Sequence, residues 1–196
     1  GAFYLDFVKT GVKASYSASF SYTEISEEWE EKIAGWLKDF KKIAVREYHG
    51  VDILKRMGFD GCWVLDPVFL LPIEKWKEIM TPVNNKEPYL LVYDFESNKE
   101  IERFCKEYAK KKGLKIYSIN DTYPRLYADK NFSSAGPREF LSLIYHCDAF
   151  VSNSFHGTAF SIIFGKPVFV FNRNRHKVNS RMESLTKMFG IEECIV

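Results

Sequence analysis

The densest chemistry in this 196-residue chain lies in Ser152-Asn153-Ser154-Phe155-His156-Gly157-Thr158. Histidine is the side chain whose ordinary pKa suits proton transfer near neutral pH. Upstream, Ala149, Phe150 and Val151 suit a strand covered on both faces, and downstream Thr158, Ala159, Ile162 and Ile163 repeat at helical spacing. Residues 152–157 must therefore turn the chain from strand to helix, which sets His156 near a helix N-terminus. Unpaired N–H groups and the positive end of the helix dipole favour an anion there. Gly157, without a side chain, would let a ligand approach the backbone. The polar groups of Ser152, Asn153, Ser154 and Thr158 exceed what a structural turn is expected to need. A Ser154–His156 hydrolase pair is disfavoured, because the chain has no G-x-S-x-G elbow and the two residues stand only two positions apart.

Other charged residues stand where strands should end. Arg46 closes an apolar run, where it reads either as a salt bridge or as a bidentate clamp for carboxylate or phosphate. Asp66 precedes Pro67, a pair that marks a turn and also places a carboxylate at a strand end. Arg173, Arg175, His176, Lys177 and Arg181 form a basic cluster after another apolar run; such clusters are solvated faces or anion sites. Tyr123 and Tyr127, in a long polar and aromatic loop, are candidates for a sugar-binding platform. No G-x-G-x-x-G and no P-loop is present, which argues against dinucleotide and NTP-hydrolysis chemistry.

Composition narrows the field further. A hydrophobic content of 46% supports packed cores, and 28 basic against 26 acidic residues give no reason to expect nucleic acid as a partner. Four widely spaced cysteines without CxxC spacing read as small buried thiols and not as a zinc site or disulfides, so no metal is expected. No apolar run approaches the ~20 residues of a membrane span. The expected compartment is the cytoplasm, with peripheral association at the inner face of the membrane left open.

The elements that must position these residues alternate. Extended segments are expected at 3–8 and 13–20, a helix around Trp29, Ile33, Trp36 and Leu37, a strand at 43–46, a short helix at 51–57 and a strand at 62–65. A breaker-rich stretch at 81–86 suggests a domain boundary, giving domains at 1–83 and 84–196. The second half continues with a strand at 89–93, a helix opened by a Ser97/Glu100 capping box, a strand at 114–119, a loop at 120–136 and a helix beginning at Pro137. A strand at 168–171 and a helix at 182–189 follow the central turn. Strands alternating with helices predict Rossmann-like parallel sheets flanked by helices. Ligands bind such sheets beyond the carboxyl ends of strands. Arg46, Asp66, Ser154 and His156 fall at such ends in two domains, and a cleft between the domains would bring them together.

At this point the chain resembles the polysaccharide pyruvyl transferases. The resemblance is carried by Ser154-Phe155-His156-Gly157-Thr158, by Ser161-Ile162-Ile163-Phe164 with Lys166-Pro167, and by Pro137-Arg138-Glu139-Phe140-Leu141. Val45-Arg46-Glu47, Leu65-Asp66-Pro67-Val68, Tyr4-Leu5-Asp6-Phe7 and Arg181 with Leu185 continue it along the chain. It implies a GT-B-like α/β enzyme whose second domain is complete here and whose first is partial, lacking the family's N-terminal part. On that reading the chain alone is expected to be inactive. The implied reaction moves the enolpyruvyl group of phosphoenolpyruvate onto sugar hydroxyls, forming a pyruvate ketal, with no cofactor. His156 is then the catalytic residue. Arg46, Ser154, Gly157, Thr158, Arg173, Arg175 and Arg181 contact the donor, supported by Asp66 and Asn153, and Tyr123 and Tyr127 face the acceptor. Some members carry an arginine where this chain has Ser154, so Arg173, Arg175 or Arg181 would supply that charge. The alternatives are a GT-B glycosyltransferase using a nucleotide sugar and a non-catalytic fragment or binding module.

Overall fold

The computed structural model describes residues 2–82, 87–120, 123–173 and 179–196. Two compact units emerge, one of residues 1–67 with 177–190, the other of residues 68–176 with 191–196. Both are α/β, each built on a parallel sheet flanked by helices.

The first unit has strands β1 (Lys13–Ala18), β2 (Phe40–Val45) and β3 (Cys62–Trp63) in the order β1-β2-β3. Helices α1 (Glu27–Leu37) and α2 (Tyr48–Arg56) make the crossovers. Their apolar stripes close over the sheet through Ile33, Leu37, Ile43, Val45 and Leu54. The register of β1 on β2 shifts between Ser15 and Ala18, where Ser17 adopts φ 56°. The Ser15 hydroxyl replaces lost ladder bonds, accepting from Ala44 N at 3.2 Å. Residues 3–8, expected as extended, instead form a 3-10 turn at Ala2–Tyr4 and further turns. The reason is local: Leu5 N bonds Ala2 O, Val8 N bonds Leu5 O, and Tyr4 stacks on Trp36 with centroids 5.1 Å apart.

The second unit opens with α3 (Ile73–Glu78), whose Trp76 packs edge-on against Phe160. The units therefore part after Pro67, earlier in the chain than the breaker-rich stretch at 81–86, and residues 83–86 lie outside the described residues. Its strands are β4 (Tyr89–Tyr93), β5 (Lys115–Ile119), β6 (Lys130–Phe132), β7 (Ala149–Ser152) and β8 (Val168–Val170), in the order β6-β5-β4-β7-β8. Side chains alternate across the sheet as a pleat requires. Leu90, Val92, Ala149 and Val151 pack beneath α4 (Lys99–Lys112), while Tyr89, Leu91 and Phe150 meet α5 (Pro137–His146) and α6 (Phe155–Ile163) on the other face. From β4 the chain steps outward to β5 and β6 and then returns to the opposite side for β7 and β8. The switch point therefore lies between β4 and β7, where such sheets hold ligands.

Three expectations are corrected here. The N-cap of α4 is Asn98, whose side chain accepts from Glu100 N at 2.8 Å, and not Ser97, which has φ 54°. The 120–136 loop contains the edge strand β6, whose Lys-Asn-Phe sequence has too little apolar pattern to announce itself. Helix α7 (Ser180–Phe189), expected in the second domain, groups with the first unit: Ser184 Oγ accepts from Tyr48 N at 3.1 Å and Lys187 Nζ lies 4.6 Å from the Tyr48 ring centre. Cys105 and Cys147 are buried thiols, and burial pushes the Cys147 pKa up to about 12, whereas Cys62 is exposed. Among the described residues no helix is long and apolar enough to cross a membrane.

Candidate functional site

The carboxyl end of β7 runs directly into α6, and the hydrogen bonds of this junction decide what is left for chemistry. Ser152 Oγ donates to Tyr93 O at 2.5 Å and accepts from Ser154 N at 2.9 Å. Ser154 is the N-cap, its Oγ accepting from Gly157 N at 3.2 Å. Thr158 Oγ1 donates to Ser154 O at 3.0 Å. All of these side chains are buried, as is Asn153. The polar groups that looked excessive for a structural turn are thus the groups that build it, which corrects the sequence reading. Within residues 152–158 it is His156 that is exposed, on the first turn of α6, with its ring edge-on to Phe155 at 5.3 Å.

Gly157 is required by packing. A Cβ there would lie 2.8 Å from the Phe150 ring, closer than van der Waals contact allows. The absent side chain thus lets α6 settle on β7, and the residue's N–H is engaged by the Ser154 cap.

Neighbouring strand ends meet the same edge. Asp94, directly after β4, is 3% exposed and its Oδ1 accepts from Asn153 Nδ2 at 2.9 Å. Asn153 Oδ1 accepts from Phe95 N at 3.0 Å. The Arg173 guanidinium, beyond β8, lies 4.8 Å from the Phe95 ring centre, and its Nε is 3.6 Å from Glu96. Asn153, Ser154, His156, Gly157, Thr158 and Arg173 therefore share one edge of the second unit. A cation, a helix N-terminus and an accessible imidazole on one sheet edge can hold an anion and move a proton.

The remaining candidates lie elsewhere. Arg46, Asp66 and Arg181 belong to the first unit. Arg46 Nη1 donates to Asp66 Oδ2 at 2.5 Å, with Asp66 3% exposed. Arg175 lies outside the described residues. Tyr123 is 74% exposed. Tyr127 is half-buried against the α4-side core, and burial raises its hydroxyl pKa.

Site reasoning from sequence passed over Asp94 and Phe95, and named Glu47 and Arg125 without a role at the site. Glu47 is fully buried and accepts from the Ser19 hydroxyl and from the N–H groups of Phe20 and Ser21. Arg125 reaches Ser97 Oγ at 2.6 Å and Asp94 O at 2.5 Å. The available signal was an acidic residue set at or just past the end of an apolar strand, which Glu47 and Asp94 share with Asp66.

A family model described as polysaccharide pyruvyl transferase matches residues 1–175. No curated protein matches the chain. Among solved structures it is similar to UDP-GlcNAc 2-epimerase from Neisseria meningitidis bound to UDP-GlcNAc, at 14% identity and a TM-score of 0.39, covering 86% of this chain and 52% of that one. The chain thus spans about half the length of that structure.

Proposed function

Because the chain belongs to the polysaccharide pyruvyl transferase family, we propose that it transfers the enolpyruvyl carbons of phosphoenolpyruvate to two hydroxyls of a sugar or polysaccharide precursor. A proton is added to the methylene carbon, which becomes the methyl group, and C2 becomes electrophilic. The two hydroxyl oxygens then form bonds to C2 as the bond to the phosphate oxygen breaks. One hydroxyl proton balances the proton gained by the methyl group and the other leaves with inorganic phosphate. The products are a pyruvate ketal and phosphate, with no cofactor.

The observation that carries this reading is the exposure of His156 on a turn whose other polar side chains are buried and engaged by backbone groups of the turn and of the β4 end, and, for Asn153, by the Asp94 carboxylate. A proton must move at the start of the reaction, and His156 is the titratable group of that turn able to meet a substrate. Its role is general acid or base. Arg173 stands on the same sheet edge and contributes positive charge for a donor that carries both phosphate and carboxylate. The reaction is assigned to the cytoplasm, where phosphoenolpyruvate is available.

Calorimetric titration of the full-length protein with phosphoenolpyruvate and, separately, with UDP tests the donor. Saturable binding of phosphoenolpyruvate without UDP binding is expected. Binding of UDP alone would favour a nucleotide-sugar donor and overturn the assignment.

A further inference from the structure

We propose that Asp94 is a positioning residue for His156, acting through Asn153; the inference rests on the reaction proposed above. Asp94 follows β4 and Asn153 follows β7, two strands in register with Tyr93 opposite Ser152. Both side chains are buried, at 3% and 2% exposure. The Phe95 N–H needs an oxygen and takes Asn153 Oδ1 at 3.0 Å, so the other end of the amide is its NH₂ group and needs an acceptor. Asp94 Oδ1 is that acceptor at 2.9 Å.

The carboxylate is itself fixed from several sides. Oδ1 also accepts from Glu96 N at 2.9 Å and Oδ2 from Asn98 N at 2.7 Å, while the Asp94 carbonyl accepts from Arg125 Nη2 at 2.5 Å. Asn131 in turn holds Arg125, accepting from its N at 2.7 Å and donating to its O at 3.1 Å. Through its carboxylate and its carbonyl, the one buried residue Asp94 therefore ties the β4 exit, the start of α4 and the loop before β6 to Asn153. Asn153 directly precedes the Ser154 cap, three residues before His156. The backbone has two soft torsions per residue, so anchoring Asn153 beside a capped helix restricts where the first turn can carry the imidazole. A misplacement of about 1 Å at a reacting group can cost on the order of 10²-fold in rate.

The test compares Asp94→Asn, Asn153→Asp and the double exchange in the full-length protein. It reads kcat, KM for phosphoenolpyruvate, melting temperature and the imidazole NMR signals of His156, assigned by their loss in His156→Gln. Each single variant is expected to lower kcat by about 10- to 100-fold with KM little changed, and to shift the His156 signals but not those of His49. The double exchange is expected to recover part of both, since the amide introduced at position 94 donates to the carboxylate introduced at 153, which still accepts from Phe95 N, while Glu96 N loses the acceptor it had in Asp94 Oδ1.

Single variants with wild-type kcat and unshifted His156 signals overturn the proposal, and so does a double exchange that restores melting temperature without kcat. Should Asp94→Asn not fold, Asn153→Ala leaves Asp94 its two backbone donors and serves the same comparison. Absence of phosphate release from the wild type would count against the reaction, while the NMR shifts would still decide the positioning role.

Discussion

Replacing His156 by alanine is expected to lower turnover of the full-length protein by about 10²- to 10⁴-fold, the contribution of a positioned acid or base. The melting temperature should hardly move. His156 is exposed, and the hydrogen bonds that form its turn run between Ser152, Ser154, Gly157 and Thr158. Alanine is also the best helix former. Loss of rate with unchanged melting is thus the signature of a chemical role, and steady-state kinetics beside thermal unfolding checks it. Near-normal turnover would remove His156 from the mechanism.

The second large effect is on stability. Asp66→Ala is expected to destabilise the protein by about 3–5 kcal/mol, the cost of removing one member of a buried ion pair. Asp66 is 3% exposed and the Arg46 side chain 17%, so water can compensate little of the loss. Arg46 also anchors the strand end, donating its N–H to Ala18 O at 3.0 Å. Urea unfolding followed by circular dichroism measures the change, and a shift below about 1 kcal/mol, the range of exposed pairs, would show that the pair is not structural. The two readings that the sequence left open for Arg46 thus become separable, since a clamp for an anion and a fixed salt bridge predict different losses.

Much of the fold was legible because local pattern and tertiary packing agree. The apolar run Tyr89–Tyr93 is buried from both faces and Pro137 opens α5, as its fixed φ and missing N–H predict. The failures have one physical character. Ser97 lost the cap to Asn98 because Asp94, at the end of β4, draws the N–H groups of Glu96 and Asn98 around its carboxylate. Helix α7 groups with the first unit through a bond from Tyr48 N to Ser184 Oγ, 136 residues apart in sequence. At the candidate site, the strand-to-helix turn and the place of His156 on the first helical turn were legible from spacing alone. The division of labour within the turn was not, because it depends on Asn153 meeting Asp94, 59 residues away. Gly157 likewise looked like an opening for a ligand, and only the position of the Phe150 ring shows that helix packing needs it.

The most direct measurement is phosphate release from phosphoenolpyruvate by the full-length protein across a panel of sugar acceptors. The proposed reaction predicts acceptor-dependent release of phosphate, matched mole for mole by a pyruvate ketal on the sugar. Failure to release phosphate with any acceptor, under conditions where a nucleotide sugar is consumed, would contradict it.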